Sequence, residues 1–210
     1  GLPHGAAACF SFHPRKVITT GDGGMLTTND IPLAERVRLL RQQGMNVSGL
    51  ARHESTMAII EEYPVTGFNY RLTDLQAAIG VSQLKRLTAL VAERRALANT
   101  YTAQLEEIPQ VAAPREPDYA KSNWQSYIVR LQTPLVQLDL MNFLLRHGIQ
   151  SRRGVMCTHL ETPYAQAWAS YSLPESERAS NSTIALPFYC GIRPEDVTRV
   201  VHTIAEFFGT

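Results

Sequence analysis

The chain has 210 residues, 44% of them hydrophobic and 19% charged, with a formal net charge of +1. That length allows one large domain, or a small domain with part of another, and the composition is that of an ordinary folded protein. A balance so close to neutral leaves no electrostatic footprint for nucleic acid or an acidic membrane, and no apolar run approaches the ~20 residues of a membrane span.

In chain order, residues 6–12 read as an apolar strand, and residues 25–28 as a second one. Between them lies Ser11-Phe12-His13-Pro14-Arg15-Lys16, then Val17 to Thr20, then the turn Gly21-Asp22-Gly23-Gly24. Lys16 therefore sits just past a strand, beside flexible backbone. A lysine in such a place can shed water, lower its pKa and attack an aldehyde as a free amine. A lone lysine is more often a solvated one, so the neighbouring residues carry the weight of this reading. A helix follows, capped by Asn29 or Asp30, with Pro32 in its first turn, Leu33, Val37 and Leu40 on one face, and Gly44 as its stop. Arg36, Arg38 and Arg41 form its solvated face. Residues 45–64 show no periodicity and read as a long connection.

Thr73 and Gln76 have the spacing of a capping box, which starts a helix at about Asp74, with Asn69 and Tyr70 in the turn before it. That helix runs through Gln83 and Leu84, with Leu75, Ile79 and Leu84 expected to face a core. A long amphipathic helix over residues 87–108 follows, on Leu90, Leu97, Tyr101, Leu105 and Ile108, and Pro109 ends it. The domain change-over falls near residues 90–115, dividing the chain into residues 1–100 and 101–210. The second part has a strand at residues 124–131, with Tyr127, Val129 and Leu131 on one face. A helix at 134–147 carries Leu135, Leu138, Phe143 and Leu145. Strands follow at 149–156 and 184–186, then a last helix from Pro194 with Val197, Val200, Val201, Ile204 and Phe207 inward. The fold class is α/β, closing with an α+β domain.

Cys9, Cys157 and Cys190 are odd in number, widely spaced and without a Cys-x-x-Cys pair. Neither a zinc knuckle nor a disulfide framework is indicated, and reduced thiols in a cytoplasmic protein are expected. No Gly-x-Ser-x-Gly elbow supports a hydrolase, and no histidine pair on one helix supports metal catalysis.

The stretch Ser-Phe-His-Pro-x-Lys-x-x-Thr-Thr-Gly-Asp-Gly-Gly closely resembles the lysine segment of the DegT/DnrJ/EryC1/StrS family. Its members are pyridoxal-phosphate-dependent aminotransferases acting on nucleotide-linked keto sugars. The resemblance implies a fold-type I transferase in which Lys16 holds the cofactor as a Schiff base and Ser11 reaches its phosphate. Gly67-Phe68-Asn69-Tyr70-Arg71-Leu72-Thr73-Asp74 is similar to the family's second signature. There the asparagine binds the cofactor phosphate of the partner subunit, which implies that Asn69 acts across a homodimer with composite sites. Gly148-Ile149-Gln150-Ser151-Arg152, His159 to Tyr164 and Leu186-Pro187 also match, so the likeness extends over nearly the whole chain.

The resemblance implies an amino transfer from glutamate to the sugar ketone, with Lys16 first anchor and then general acid–base. Two readings stay open for Arg152, Arg153 and His159. They face the sugar nucleotide, since arginine forks suit diphosphate, or they are surface arginines and a helix-capping histidine. His13 packs over the cofactor and substrate or only fills its turn. Lys16 argues against a dehydratase on the same scaffold, in which histidine takes the lysine's place. A non-catalytic binding or regulatory protein is the competing class. In the family about half the protein precedes the lysine segment, including the phosphate-gripping helix start and the aspartate on the pyridine nitrogen. The chain is therefore expected to be the second half of such an enzyme and inactive alone.

Overall fold

The computed structural model describes residues 2–133, 136–168 and 170–210. The chain forms two compact units, Gly1–Leu87 and Thr88–Thr210. The sequence reading divides it instead at residue 100. The difference arises because Ala98, Tyr101 and Leu105, all within the long helix, are buried in the core of the second unit.

In the first unit β1 (Ala8–Ser11) pairs antiparallel with β2 (Gly24–Thr27), Cys9 opposite Leu26 and Ser11 opposite Gly24. A Cβ on Gly24 would lie 2.8 Å from the Phe10 carbonyl oxygen, so only glycine permits this pairing. Helix α1 (Ile31–Arg41) starts where expected. The Asp30 side chain accepts the Leu33 amide at 3.0 Å, a cap worth about 1 kcal/mol. Helix α2 (Gly49–Glu54), capped by Ser48, occupies part of the stretch expected to be irregular. One short turn of helix is too brief to show a period.

Helix α3 (Asp74–Leu105) is one continuous element of 32 residues, where two helices are expected. No proline interrupts it, and Gly80 sits where a Cβ would press to 3.1 Å on Thr20 Cγ2. Its N-terminal part corrects a second expectation. Leu75, Ile79 and Leu84 do not face a core but are 81%, 49% and 59% exposed. The first unit offers them only a two-stranded hairpin and two short helices, and among its described residues only Thr20 and Gly44 are buried.

The second unit is built on a four-stranded antiparallel sheet in the order β3-β4-β6-β5. Its strands are β3 (Val111–Ala112), β4 (Ile128–Leu131), β5 (Arg152–Arg153) and β6 (Thr183–Ala185). Tyr127, Val129 and Leu131 point inward, as their alternation predicts. The strand starts four residues later than expected because Trp124 adopts φ 49°, outside extended geometry. β5 is likewise shorter than the stretch 149–156, pairing only through Arg152 and Arg153 with Ala185 and Ile184.

Helix α4 (Gln137–Arg146) buries Leu140 and Leu144, whereas Leu138 and Leu145 point to solvent. Pro134 and Leu135, where its start was expected, lie outside the described residues. Short helix α5 (Thr162–Ala165) and helix α6 (Pro174–Ser182) stand where the sequence showed no apolar period. Gln137 Nε2 ties α4 to the end of α6 by donating to the Ser180 and Thr183 carbonyls, both at 2.8 Å. Helix α7 (Pro194–Phe208) buries Val197, Val200, Val201 and Ile204, and Gly209 closes it at φ 73°. An aromatic stack crosses this core. Tyr101 lies 5.0 Å from Tyr127, and Tyr127 lies 5.7 Å from Phe188. The Tyr101 hydroxyl donates to the Pro187 carbonyl at 2.8 Å, so its burial leaves no polar atom unpaired.

Candidate functional site

The lysine turn is closed by its own backbone. The Phe12 amide donates to the Gly23 carbonyl at 2.8 Å, and the Thr20 amide to the Phe12 carbonyl at 3.2 Å. Thr19 Oγ1 adds a bond to the same Phe12 carbonyl at 2.8 Å. Within the loop the Lys16 amide donates to the His13 carbonyl at 2.9 Å, a tight turn that sets the lysine backbone. Gly21 and Gly23 take φ 84° and 141°, which side-chain-bearing residues rarely adopt. The Lys16 side chain is half-buried, and no hydrogen bond or ion pair engages its amine among the described residues.

Ser11 lies at the end of β1 and is exposed. Its hydroxyl oxygen accepts the His13 amide at 3.3 Å, which leaves its proton free to be donated elsewhere. His13 Nδ1 accepts the Arg15 amide at 3.2 Å, so a neutral His13 ring carries its proton on Nε2. These bonds make His13 a residue of the turn itself.

The second signature is fixed by the end of α1. Asn69 forms an antiparallel bridge with Gln42. The Gln43 amide donates to Phe68 at 2.8 Å, the Phe68 amide to Leu40 at 2.7 Å, and the Tyr70 amide to Arg41 at 2.8 Å. Contact here is so close that a Cβ on Gly67 would lie 2.2 Å from the Gly44 amide nitrogen. The Asn69 side chain is exposed, with no hydrogen bond to it among the described residues. Its carboxamide is thus presented outward from a rigid backbone. Four residues on, the expected capping box is present: the Gln76 amide donates to Thr73 Oγ1 at 3.2 Å, and the Thr73 amide donates to Gln76 Oε1 at 3.0 Å.

The remaining candidates belong to the second unit. Arg152 is exposed on β5, and Arg153 forms a 3.3 Å ion pair with Glu161. His159 lies in a short 3-10 turn, Thr158–Leu160, and is buried. Its Nε2 donates to Glu177 Oε1 at 3.0 Å, and the same oxygen accepts the Leu173 amide at 3.0 Å. Both bonds, the one from His159 foremost, hold the Glu177 carboxyl below its usual range. Nothing in the sequence spacing links His159 to Glu177, because α6 has no apolar period to place it.

A second polar cluster lies beyond the sequence reading. Neighbouring arginines of α3 grip the segment that follows it. Arg94 Nη1 donates to the carbonyls of Trp124 and Gln125 at 3.2 and 3.1 Å. Arg95 clasps Glu116 with bonds of 2.9 and 2.6 Å and donates to the Ser122 carbonyl at 2.8 Å. Glu116 also accepts the Ser122 amide. Among the described residues no cluster of metal-ligating side chains occurs, and no helix is long and apolar enough to cross a membrane.

Comparison with known proteins places these features in one lineage. The chain is 36% identical to GDP-perosamine synthase of Caulobacter vibrioides over 205 residues, 96% of this chain and 52% of that protein. It is 29% identical to the spore coat polysaccharide biosynthesis protein SpsC of Bacillus subtilis, over 96% of this chain and 54% of the relative. Among solved structures, Helicobacter pylori PseC, an aminotransferase of pseudoaminic acid biosynthesis, superposes with a TM-score of 0.89 at 26% identity. That match covers all of this chain and 54% of PseC. S. venezuelae DesV, solved in complex with a ketimine intermediate, gives 0.83 at 28% identity, over 97% of this chain and 52% of its own. The chain thus spans about half the length of the relatives it matches. With residues 3–205 matching the family as a whole, lysine turn and asparagine turn included, the chain belongs to the DegT/DnrJ/EryC1/StrS aminotransferase family.

Proposed function

We propose that the protein carrying this chain is a pyridoxal-phosphate-dependent aminotransferase that converts a nucleotide-linked keto sugar to an amino sugar, with glutamate as donor. The observation that carries this reading is the uncommitted, half-buried amine of Lys16 on a glycine-closed turn. The names of the relatives support the substrate class, one a GDP-sugar synthase and another an aminotransferase of pseudoaminic acid biosynthesis.

The residues present fit the cofactor. An aldehyde requires an amine free of competing bonds, which Lys16 supplies. A phosphate requires donors, and the Ser11 hydroxyl proton, together with the outward Asn69 carboxamide of a partner subunit, would supply them. When bound, the cofactor supplies an electron sink for the carbon that exchanges its amino group. Lys16 Nζ would hold the cofactor and, once free, would carry the proton at the reacting carbon. Arg152 and Arg153 offer charge for a diphosphate, with Arg153 exchanging its exposed Glu161 partner for the ligand. His159, held by Glu177 through Nε2, keeps Nδ1 as an acceptor for a substrate hydroxyl.

Borohydride reduction of the full-length protein incubated with pyridoxal phosphate, followed by peptide mapping, tests the assignment. The label is expected on Lys16. A label on Lys85 or Lys121 instead overturns it.

A further inference from the structure

Gln76 does more than cap its helix. Its Oε1 accepts from the Thr73 amide and from Thr73 Oγ1, both at 3.0 Å. Its Nε2 donates to the Asp22 carbonyl at 2.9 Å, across 54 residues of sequence. The two ends of the carboxamide therefore serve different partners, and this pairing sets which end is oxygen and which is nitrogen. The Asp22 carbonyl also accepts from Thr20 Oγ1 at 2.6 Å, and Thr20 is 3% exposed. Asp22 Oδ1 in turn accepts the Gly23 amide at 2.8 Å. The limb of the lysine turn opposite Lys16 is thus anchored at one carbonyl to the first turn of α3. Close packing reinforces the anchor, since a Cβ on Gly23 would lie 2.8 Å from both Leu72 Cδ1 and Thr20 Oγ1. The same first turn follows directly on the Asn69 segment, which is held to α1 by its backbone.

We infer that Gln76 is a positioning residue for Lys16: its amide nitrogen sets the lysine turn relative to the asparagine turn, so that amine and carboxamide are presented in one fixed arrangement. The inference rests on the reading of Lys16 as the cofactor lysine. It makes a distinction that a capping role alone does not. A glutamate at position 76 retains the acceptor that a capping box uses, and glutamate is favoured there. It has no donor for the Asp22 carbonyl.

The test uses the full-length holoenzyme and the variants Gln76→Glu and Gln76→Met. Thermal unfolding, the dissociation constant for pyridoxal phosphate and the rate of borohydride capture at Lys16 are measured for each. Gln76→Glu is expected to lower Tm much less than Gln76→Met yet bind the cofactor about three- to ten-fold more weakly, the loss of one hydrogen bond, and to be captured more slowly. Amide exchange over residues 19–24 should rise in the same variant, with the first turn of α3 unchanged. Gln76→Met is expected to lose both Tm and affinity. Wild-type affinity and capture in Gln76→Glu overturn the inference. So does a loss of affinity that simply follows a loss of Tm in both variants, since that marks a capping role only. If the wild-type protein shows no capture at Lys16, the cofactor reading fails first, and the positioning role falls with it.

Discussion

At the residue scale, Glu116 shows how one carboxylate can hold a connection in place. It faces both terminal nitrogens of Arg95 and the Ser122 amide. The Arg95 bonds first, then the Ser122 amide, hold its carboxyl down from 4.5 to about 2. A depressed carboxylate pKa contributes stability that is fully present above the ordinary value and is lost as pH falls through the folded one. Glu116→Gln is therefore expected to lower Tm at neutral pH. The gap between variant and wild type should narrow as pH falls from about 4.5 to about 2. Thermal melts across that window measure it, and a gap that stays constant down to pH 2 refutes the assignment. Tyr127 belongs to the opposite case. Burial pushes its hydroxyl up to about 12, so it stays protonated as the bond partner of Thr102.

At the scale of elements, α3 and α7 show what an apolar period does and does not establish. Of the residues its period selects, α7 buries Val197, Val200, Val201 and Ile204, the last completely, and leaves Phe207 half-buried against the core. Ile204→Ala should cost about 2–5 kcal/mol, because the closed core around it cannot collapse into the space. Leu75→Ala, at an exposed position on the first turns of α3, should cost within about 0.5 kcal/mol in the same 210-residue chain. Urea melts of the two variants provide the comparison, and equal losses would show that Leu75 is packed. The apolar stripe Leu75, Ile79 and Leu84 was legible, but its burial was not. A period identifies a face, and only the presence of a partner surface decides whether water leaves it.

At the scale of the whole molecule, we propose that the site draws on two chains. The Asn69 carboxamide faces outward from a backbone locked to α1 and is engaged by nothing within its own described chain. Our reading gives it to the cofactor phosphate of a neighbouring subunit, in an isologous dimer with two shared sites. Removing one donor to a charged phosphate should weaken cofactor binding by about 1.5–3 kcal/mol. Mixed dimers of full-length Lys16→Ala and Asn69→Ala subunits separate the possibilities. With shared sites, both lesions can fall in one site and leave the other intact, so mixing should restore activity above the Asn69→Ala homodimer. No gain on mixing means that Asn69 serves its own subunit.

By itself the sequence determined the local units of this protein. Strand, glycine turn and lysine were readable because a turn with positive φ needs glycine at set positions. A cap at Asn29 or Asp30, the box at Thr73 and Gln76, and the start of α7 at Pro194 were readable because capping acts within three or four residues, and the structure then chose Asp30. The burial of Tyr127, Val129 and Leu131 followed from strand alternation. Only the tertiary structure decided which units touch. The bond from Gln76 to Asp22 spans 54 residues, and that from Arg95 to the Ser122 carbonyl spans 27. His159 meets Glu177 18 residues away, on a helix with no apolar period. Such polar contacts are formed by side chains with no periodicity of their own, brought together once apolar faces have packed, and no local pattern encodes the partner.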